Sequence, residues 1–406
     1  MGHNVQRGAV LIITASTLLL AGAQNSPEEI LSVILAGYDP NTRPGDLSLA
    51  NSSTCSIDGN QDAVSMSLGV ELMHTIDQQK LSYKLDGYFR ASWRDPRLAF
   101  PDSSCRESIV LESTSVGSKR IWTPGFFIQN ALDVEMEGGE SVFIDRDGSV
   151  FWSRRMQVEM SCPSFNFGQF PFDVQHCQIT VGVYRYKASQ VTISWMDDAI
   201  DAIRPLKSGL WSASVVEARS REKTYSSGSY TYAQACLRLE RSPGKYEQSI
   251  LVAILLVMAS YTGFFLSVSA APARVALAFL TFLMVLNNVN AVLKEMPPLP
   301  SARDGGEQIW LLDFLVGTTI FNFVTLLEYG LVHHGVQVAA KVKAEPSIAS
   351  GSEEVRLSGW VTRVWVFCAK LDGIMRWAFP IAYILFCIAI FASLPAYSSN
   401  DACIYA

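Results

Sequence analysis

The sequence predicts an extracellular β-sandwich domain followed by a domain of four transmembrane helices. Two observations support this fold class: short β-rich segments fill the first part of the chain, and four long apolar runs follow Pro243. Of the 406 residues, 49% are hydrophobic and only 17% are charged, and the apolar excess is concentrated in those runs. The composition therefore indicates a membrane protein with a polar outer domain.

The N-terminus is typical of a secretory signal peptide, which we place at residues 1–23. Arg7 precedes a short apolar run at 9–20, and small residues follow at 21–23. An anchor helix is the alternative, but the run is too short to cross a bilayer. Secretion would also make Asn51, in an Asn-Ser-Ser triplet, a glycosylation acceptor.

The outer domain, residues 24–243, is predicted to contain one short helix and many strands. The stretch SPEEILSVILAGY has a Ser-x-x-Glu capping box and apolar residues at helical spacing. The strands are predicted from β-branched and aromatic residues between turn residues, at 83–93, 149–160, 176–187, 190–195 and 233–241.

The four membrane spans are predicted at 250–268, 275–293, 309–332 and 377–394. The chain then divides into three spans within 244–334, a cytoplasmic linker at 335–365, a fourth span within 366–396 and an extracellular tail at 397–406. The linker is richer in Lys and Arg than the loop after the second span, which is the bias expected of the inner side. Both termini are therefore expected outside, in a multi-pass protein of the plasma membrane.

The cysteines are interpreted from the oxidising compartment that secretion implies. Cys162 and Cys177 bracket CPSFNFGQFPFDVQHC and are the strongest candidates for a disulfide. A metal site would need more thiols or imidazoles than His176 supplies, so no metal is expected. Cys55 and Cys105 are left as a second candidate pair. Cys236 lies in a predicted strand, and Cys368 and Cys387 are expected to be free.

Six motifs in order along the chain resemble those of the Cys-loop pentameric ligand-gated ion channels, in the anion-selective glycine and GABA branch. The resemblance covers essentially the whole mature chain and implies a homo- or heteropentamer surrounded by lipid. It also implies that the disulfide-closed loop rests on the membrane helices, although this loop is one residue longer than is usual in the family. The motifs are GYDPNTRP (37–44), WRDPRL (93–98), IWTP (121–124), FPFD (170–173), LRLER (237–241) and AAPARV (270–275).

The second span is the expected pore helix. A cation channel would place carboxylates at the inner mouth, whereas no acid occurs from 270 to 293, and we favour an anion pathway. Helical spacing places five residues on one face, and Leu283 would form an apolar gate by resemblance. Leu280 replaces the family's usual small hydroxyl residue. The expected pore residues are Pro272, Ala273, Arg274, Ala276, Leu280, Leu283, Asn287, Asn290 and Lys294. The alternative is that Arg274 and Lys294 are ordinary snorkelling residues at helix ends.

The resemblance places the agonist site between subunits. One face would carry Tyr88, Arg90 and Ser153, and the other Gln129, Tyr184, Tyr225, Ser227 and Tyr230. Aromatic rings attract ammonium groups and Arg90 can hold a carboxylate, so we expect an amine or amino-acid-like agonist. Gly182 and Gly125 stand where relatives carry acids. Half-buried strand residues are the alternative interpretation of the tyrosines.

Coupling between the two domains is expected from Asp173 and Arg241, which resemble the family's pair at the domain junction. Phe170 and Pro171, at the tip of the closed loop, and Asp77 and Gln78, in a neighbouring turn, complete the expected set. A charged pair buried at such a junction must be matched, since an isolated buried charge is costly.

Other functions are weighed against this interpretation. Five histidines without metal spacing, and no catalytic triad or phosphate loop, argue against an enzyme, and no cofactor is expected. The net charge of -6 argues against nucleic-acid binding. A cation-selective channel and a non-conducting, ligand-binding accessory subunit stay open as alternatives. The identity of the agonist, the subunit composition and the cytosolic partners are not predicted.

Overall fold

The computed structural model describes residues 26–46, 61–101, 106–113, 121–202, 206–296, 308–344, 355–396 and Cys403. The predicted signal peptide, Asn51, Cys55 and Cys105 lie outside the described residues. So does the predicted tail, apart from Cys403.

The described chain begins with helix α1, Pro27–Ile34, as the capping box predicts. The hydroxyl oxygen of Ser26 accepts a hydrogen bond from the Glu29 amide at 3.2 Å, and the Glu29 carboxylate accepts one from the Ser26 amide at 3.0 Å. These bonds satisfy donors that a helix start leaves without partners. Ile30 then anchors the helix in the core of the β domain.

Eleven strands among the described residues form the predicted β-sandwich. One sheet has the order β3-β5-β6-β2-β1-β8 and the other β4-β7-β11-β10-β9, with β1 and β8 the parallel pair in a set otherwise antiparallel. The core lies between the two sheets. The strands are β1 Asp62–Asp77, β2 Ser82–Arg94, β3 Ser108–Ser113, β4 Phe126–Ile128, β5 Ala131–Asp145, β6 Ser149–Ser161, β7 Val174–Val183, β8 Val191–Ala202, β9 Lys207–Ser208, β10 Trp211–Tyr225 and β11 Gly228–Arg241.

Four long helices follow the β domain: α2 Gly244–Thr262, α3 Ala271–Leu293, α4 Trp310–Ala344 and α5 Val355–Ala392. Each contains a stretch long and apolar enough to cross a membrane, which agrees with the predicted number of spans. The helices are longer than the predicted spans, because α4 continues to Ala344 and α5 begins at Val355, both inside the expected linker 335–365.

Two disulfides join described residues. Cys162 and Cys177, with Cα atoms 5.3 Å apart, close the predicted loop. Cys236 of β11 is bonded to Cys403, with Cα atoms 6.0 Å apart, a pairing that the sequence did not suggest. Cys368 and Cys387 are unpaired, as expected.

Candidate ligand site and pore helix

Five aromatic side chains cluster on the five-stranded sheet, and we call them the aromatic cage: Phe127, Tyr184, Tyr225, Tyr230 and Tyr232. They come from β4, β10, β11 and the residue after β7. Ring centroids lie 6.1 Å apart for Phe127 and Tyr184, 6.4 Å for Phe127 and Tyr232, and 6.0 Å for Tyr225 and Tyr230. The hydroxyls of Tyr225 and Tyr232 lie 3.3 Å apart. Tyr184 is 81% exposed, so the cage opens to solvent.

Gly182 shapes the cage because it lies directly between two of its rings. In the strand register it faces Phe127 on β4 and Tyr232 on β11. A Cβ atom at position 182 would lie 2.8 Å from a Phe127 ring carbon and 2.9 Å from a Tyr232 ring carbon. The absence of an acid at Gly182 therefore has a physical cause, since the rings occupy its space.

Gly125 has a conformational reason as well. Its φ of +74° favours glycine, and the position where a Cβ would stand faces the side chain of Arg185 at 3.8 Å. A basic group lies beside the rings: the Lys223 ammonium is 5.6 Å from the centroid of Tyr225. Burial, together with the hydrogen bond to Tyr225, raises the pKa of Tyr232 to about 12, so its hydroxyl stays neutral at physiological pH.

Most residues predicted for this face of the site are brought together. Tyr184, Tyr225 and Tyr230 belong to the cage, and the Tyr230 hydroxyl donates to the Ser227 hydroxyl at 3.4 Å. The backbone N–H of Gln129 donates to the Thr180 carbonyl oxygen at 2.8 Å, and Phe127, two residues earlier, supplies a ring of the cage. A role of the Gln129 side chain in the site stays a prediction.

Phe127 and Tyr232 were not among the predicted site residues, although a sequence pattern points to each of them. Tyr230 and Tyr232 are two residues apart on one strand and so point to the same side of the sheet. Phe127 belongs to an aromatic pair that follows IWTP after a single glycine.

The residues predicted for the opposite face lie together on β2 and β6 of the six-stranded sheet. Arg90 is directly opposite Ser153, and its guanidinium lies 5.9 Å from the Tyr88 ring centroid. One guanidinium nitrogen is 3.4 Å from the Asp201 carboxylate. Gly69 of β1 makes room for this group, since a Cβ there would lie 2.8 Å from it. We call Tyr88, Arg90 and Ser153 the arginine patch.

Helix α3, the predicted pore helix, exposes the predicted face. Pro272, Ala273 and Lys294 at its two ends are exposed, and so are the five residues selected by helical spacing: Ala276, Leu280, Leu283, Asn287 and Asn290. Its opposite side packs on the other helices of the same chain through Ala271, Arg274, Ala278, Thr281, Val285 and Val292. The exposed face therefore carries two leucines, two asparagines and no acid.

Arg274 corrects the predicted pore set. It is 1% exposed, its guanidinium pairs with the carboxylate of Asp372 on α5, and it lies 4.2 Å from the ring centroid of Tyr329 on α4. Arg376 also reaches Asp372, at 3.3 Å. Arg274 therefore holds the pore helix against its neighbours and does not belong to the exposed face.

The domain junction contains the predicted charged pair in a two-bond arrangement. Two guanidinium nitrogens of Arg241 lie 2.6 and 3.0 Å from the two oxygens of Asp173, and the side chains are 0% and 2% exposed. The guanidinium also lies 4.0 Å from the ring centroid of Trp211 and 4.6 Å from that of Phe170. Paired hydrogen bonds of this kind compensate for the desolvation of both charges.

The closed loop contacts the membrane helices at its tip, as expected. The Phe170 ring lies 4.5 Å from that of Tyr246 on α2, and the Phe172 ring lies 5.7 Å from that of Trp310 on α4. The Trp310 amide donates to the Gly168 carbonyl at 2.9 Å. The loop between Cys162 and Cys177 therefore links strand β7 to two of the four helices.

The turn after β1 touches the end of α3 that lies nearest the β domain. The Gln79 side chain donates to the Lys294 carbonyl at 2.8 Å, and Asp77 orders the turn by accepting the Gln79 amide at 3.0 Å. The turn is the predicted one, but Gln79 makes this contact instead of Gln78. Nearby, burial opposes ionisation of Glu295, but hydrogen bonds from Lys245 and Tyr246 lower its pKa.

Comparison with known proteins places the β domain in a family. Residues 27–243 match the family model described as the neurotransmitter-gated ion-channel ligand binding domain. The chain is 26% identical to the gamma-aminobutyric acid receptor subunit beta-4 of Gallus gallus over 318 residues, which cover 76% of this chain and 60% of that relative.

Two further relatives show similar values. The glycine receptor subunit beta of Rattus norvegicus is 26% identical over 81% of this chain and 64% of its own length. The gamma-aminobutyric acid receptor subunit beta-like of Drosophila melanogaster is 26% identical over 80% of this chain and 65% of its own length. The matches thus span between 60% and 65% of these relatives.

Proposed function

Since the chain belongs to the neurotransmitter-gated ion-channel family, on the branch of the GABA and glycine receptor subunits, we propose that it is a ligand-gated anion channel subunit of the plasma membrane. This family consists of ion channels and not of enzymes. In the proposal, an amine or amino-acid-like agonist binds between subunits and opens a chloride pathway along α3.

The exposed face of α3 is the observation that carries the proposal. From Pro272 to Asn290 it presents proline, alanine, leucine and asparagine, without a carboxylate. Five copies around an axis would have no negative ring to attract cations, and Lys294 would add positive charge at the outer end. Leu283 and Leu280, both exposed, would form two apolar rings that close the pathway by dewetting.

The agonist would occupy the space between the aromatic cage of one subunit and the arginine patch of the next. The cage and the patch lie on different sheets of one chain, so each subunit offers both halves. Ring faces would hold an ammonium group and Arg90 a carboxylate. Because the relatives' names mention gamma-aminobutyric acid and glycine, zwitterions of that size are the first ligands to test.

The path from ligand to pore would run through contacts within one chain. Strand β7 joins the cage to the closed loop, and that loop touches α2 and α4. Strand β11 joins Tyr232 to Arg241, and the turn after β1 touches Lys294. A movement of the hairpin formed by β10 and β11 would therefore reach α2 and α4 through β7 and the closed loop, and the start of α2 through β11.

Voltage clamp of cells expressing the chain tests the proposal. With amino acids and amines applied outside, the current should reverse near the chloride potential, and Ala273→Glu should shift the reversal toward the cation potential because it adds a carboxylate ring. Ala291→Glu is the matched control, because it adds the same carboxylate near the opposite end of α3. This variant should leave the reversal near the chloride potential. Reversal at the sodium potential in the unmodified chain would overturn anion selectivity.

A second candidate function is a subunit that binds ligand without conducting. Leu280 favours it, because a second exposed leucine beside Leu283 lengthens the apolar constriction. Surface pentamers that bind agonist but carry no current, and that conduct after Leu280→Thr, would support this candidate.

A further inference from the structure

The second disulfide links the last strand of the β domain to the segment that follows the fourth span. Cys236 lies on β11, in the strand that leads into the first span, and Cys403 follows the fourth span. The sequence separation is 167 residues, and all four membrane spans lie between the two cysteines. A bond between them requires that both lie on the same side of the membrane, which an even number of spans allows.

The two disulfides lie on opposite faces of the same sheet. In the register of β7 and β11, Leu237 faces Cys177 and Cys236 faces Gln178. Cys177 bonds inward to Cys162 in the core, whereas Cys236 lies on the outer face, where the side chain of Arg238 is partly exposed. The sulfur of Cys403 lies 3.9 Å from the Cys177 carbonyl oxygen. The five-stranded sheet therefore carries one disulfide on each face, at neighbouring positions of β7 and β11.

The outer end of the fourth span already lies beneath this position. The Phe391 ring is 5.0 Å from that of Trp310, and the Trp310 indole donates to the Ile390 carbonyl at 2.6 Å. Trp310 in turn bonds the closed loop through Gly168. Six residues lie between Ala396 and Cys403, and the seven Cα-to-Cα steps that join the two reach about 25 Å at most. Cys236 is five residues from Arg241 at the junction, about 17 Å along the strand.

We propose that Cys236–Cys403 is a second structural disulfide that clamps the fourth span to the β domain, so that the two move together. In its formation, the two thiols lose two protons and two electrons to a disulfide oxidant of the secretory compartment, which becomes a dithiol. An added dithiol reverses the reaction and is oxidised to a cyclic disulfide. The effect of the clamp on gating rests on the proposed channel function, while the bond itself does not.

Cleavage of the full-length chain tests the bond directly. A protease site inserted at 345–354, between α4 and α5, would let the folded chain be cut into two fragments. Without reductant, the fragments should stay joined on a denaturing gel, and with dithiothreitol they should separate. The fragments of the Cys403→Ser and Cys236→Ser variants should separate even without reductant. Cys368→Ser and Cys387→Ser are the matched controls and should stay joined, because both cysteines are unpaired.

Separation of the unmodified chain without reductant, while Cys162 and Cys177 remain blocked to thiol reagents, would overturn the proposal. The result does not depend on current, so a chain that proves silent still gives a decisive answer about the bond. Joined fragments with no current would leave the clamp standing and count against the proposed channel.

Gating tests the role of the clamp. Cys236→Ala, Cys403→Ala and the double variant should shift the half-activating agonist concentration by the same factor, about fivefold or more, as expected of a coupling between sites. Dithiothreitol should shift the half-activating agonist concentration of the unmodified chain but not that of Cys403→Ala. The Cys403→Ala variant therefore also controls for reduction of other disulfides. Equal agonist sensitivity in all variants, or additive shifts in the double variant, would show that the bond does not couple the fourth span to the β domain.

Discussion

Two buried arginine–aspartate ion pairs lie in different regions of the molecule, one at the domain junction and one in the helix bundle. Arg241 and Asp173 form a closed pair among aromatic rings, at 2.6 and 3.0 Å. In the bundle, Asp372 serves two arginines, Arg274 and Arg376. The first pair joins the closed loop to the end of β11, just before α2 begins, and the second joins α3 to α5.

The difference between the pairs lies in what remains when one member is removed. Loss of Arg241 leaves one aspartate, which also accepts a hydrogen bond from the Gln175 side chain at 2.6 Å. Loss of Asp372 leaves two cations, one of them almost fully buried. Since an uncompensated buried charge is what makes breaking a pair costly, the bundle should be the more sensitive of the two regions.

The largest effect is expected for Asp372→Ala. Removing the shared carboxylate should lower the free energy of unfolding by about 5 kcal/mol, the upper end of the range for a broken buried pair. Chemical unfolding of the detergent-solubilised chain measures it. Glu247→Ala, in the exposed first turn of α2, is the control and should change stability by less than about 0.5 kcal/mol. Equal effects of both changes would contradict the shared-carboxylate interpretation.

Arg241→Gln should rank second, with a loss of about 3 kcal/mol in the same unfolding measurement. Glutamine removes the charge and one of the two bonds, while Gln175 still bonds the remaining aspartate. Arg238→Gln lies on the same strand in an exposed pair and should be nearly neutral. If Arg241→Gln proved more costly than Asp372→Ala, the ranking of the two regions would be reversed.

Tyr329→Phe should cost about 1 kcal/mol, the usual net value of one hydrogen bond. It removes the hydroxyl that donates to the Ser260 carbonyl at 2.7 Å but keeps the ring over Arg274. Tyr329→Leu removes both and should cost more in thermal unfolding. Identical losses in the two variants would mean that the ring contributes nothing to holding Arg274.

Glu295→Gln should have the smallest effect, below about 1 kcal/mol, because this carboxylate is partly exposed. Since the pKa of Glu295 is lowered by Lys245 and Tyr246, its contribution is complete above its ordinary value of 4.5 and is lost as the pH falls through the lowered value. The stability difference between the unmodified chain and the variant should therefore be constant from pH 5.5 to 8 and vanish in acid. A difference that grows in acid would contradict the assigned direction.

Local patterns predicted the fold well. The capping box gave α1, the alternation of β-branched residues gave the main strands, and apolar length gave the four spans. The inner ends of α4 and α5 were missed because the basic residues in 335–365 are typical of a linker. The same segment also contains Gln, Ala and Lys, which are good helix formers. The basic residues suggested a linker, and the helical propensity of the segment was overlooked.

The parts of the candidate site that depend on a single helix or strand were predicted from the sequence. Helical period alone selected the exposed face of α3, from Ala276 to Asn290. Arg274 was misplaced because its partner Asp372 lies 98 residues away on another helix. The Cys236–Cys403 bond spans 167 residues and has no local signal either. Long-range pairing is the part that periodicity and spacing do not encode.

The composition of the aromatic cage has a consequence for dose–response curves. Its five members include no acid, and the pKa of Tyr232 is about 12. The Tyr232 hydroxyl therefore stays uncharged between pH 6 and 9. For an agonist held there through its ammonium group, potency plotted against acidity would trace the protonation of the ligand's own amine, and ligands of different basicity would give curves displaced by the difference in their pKa values.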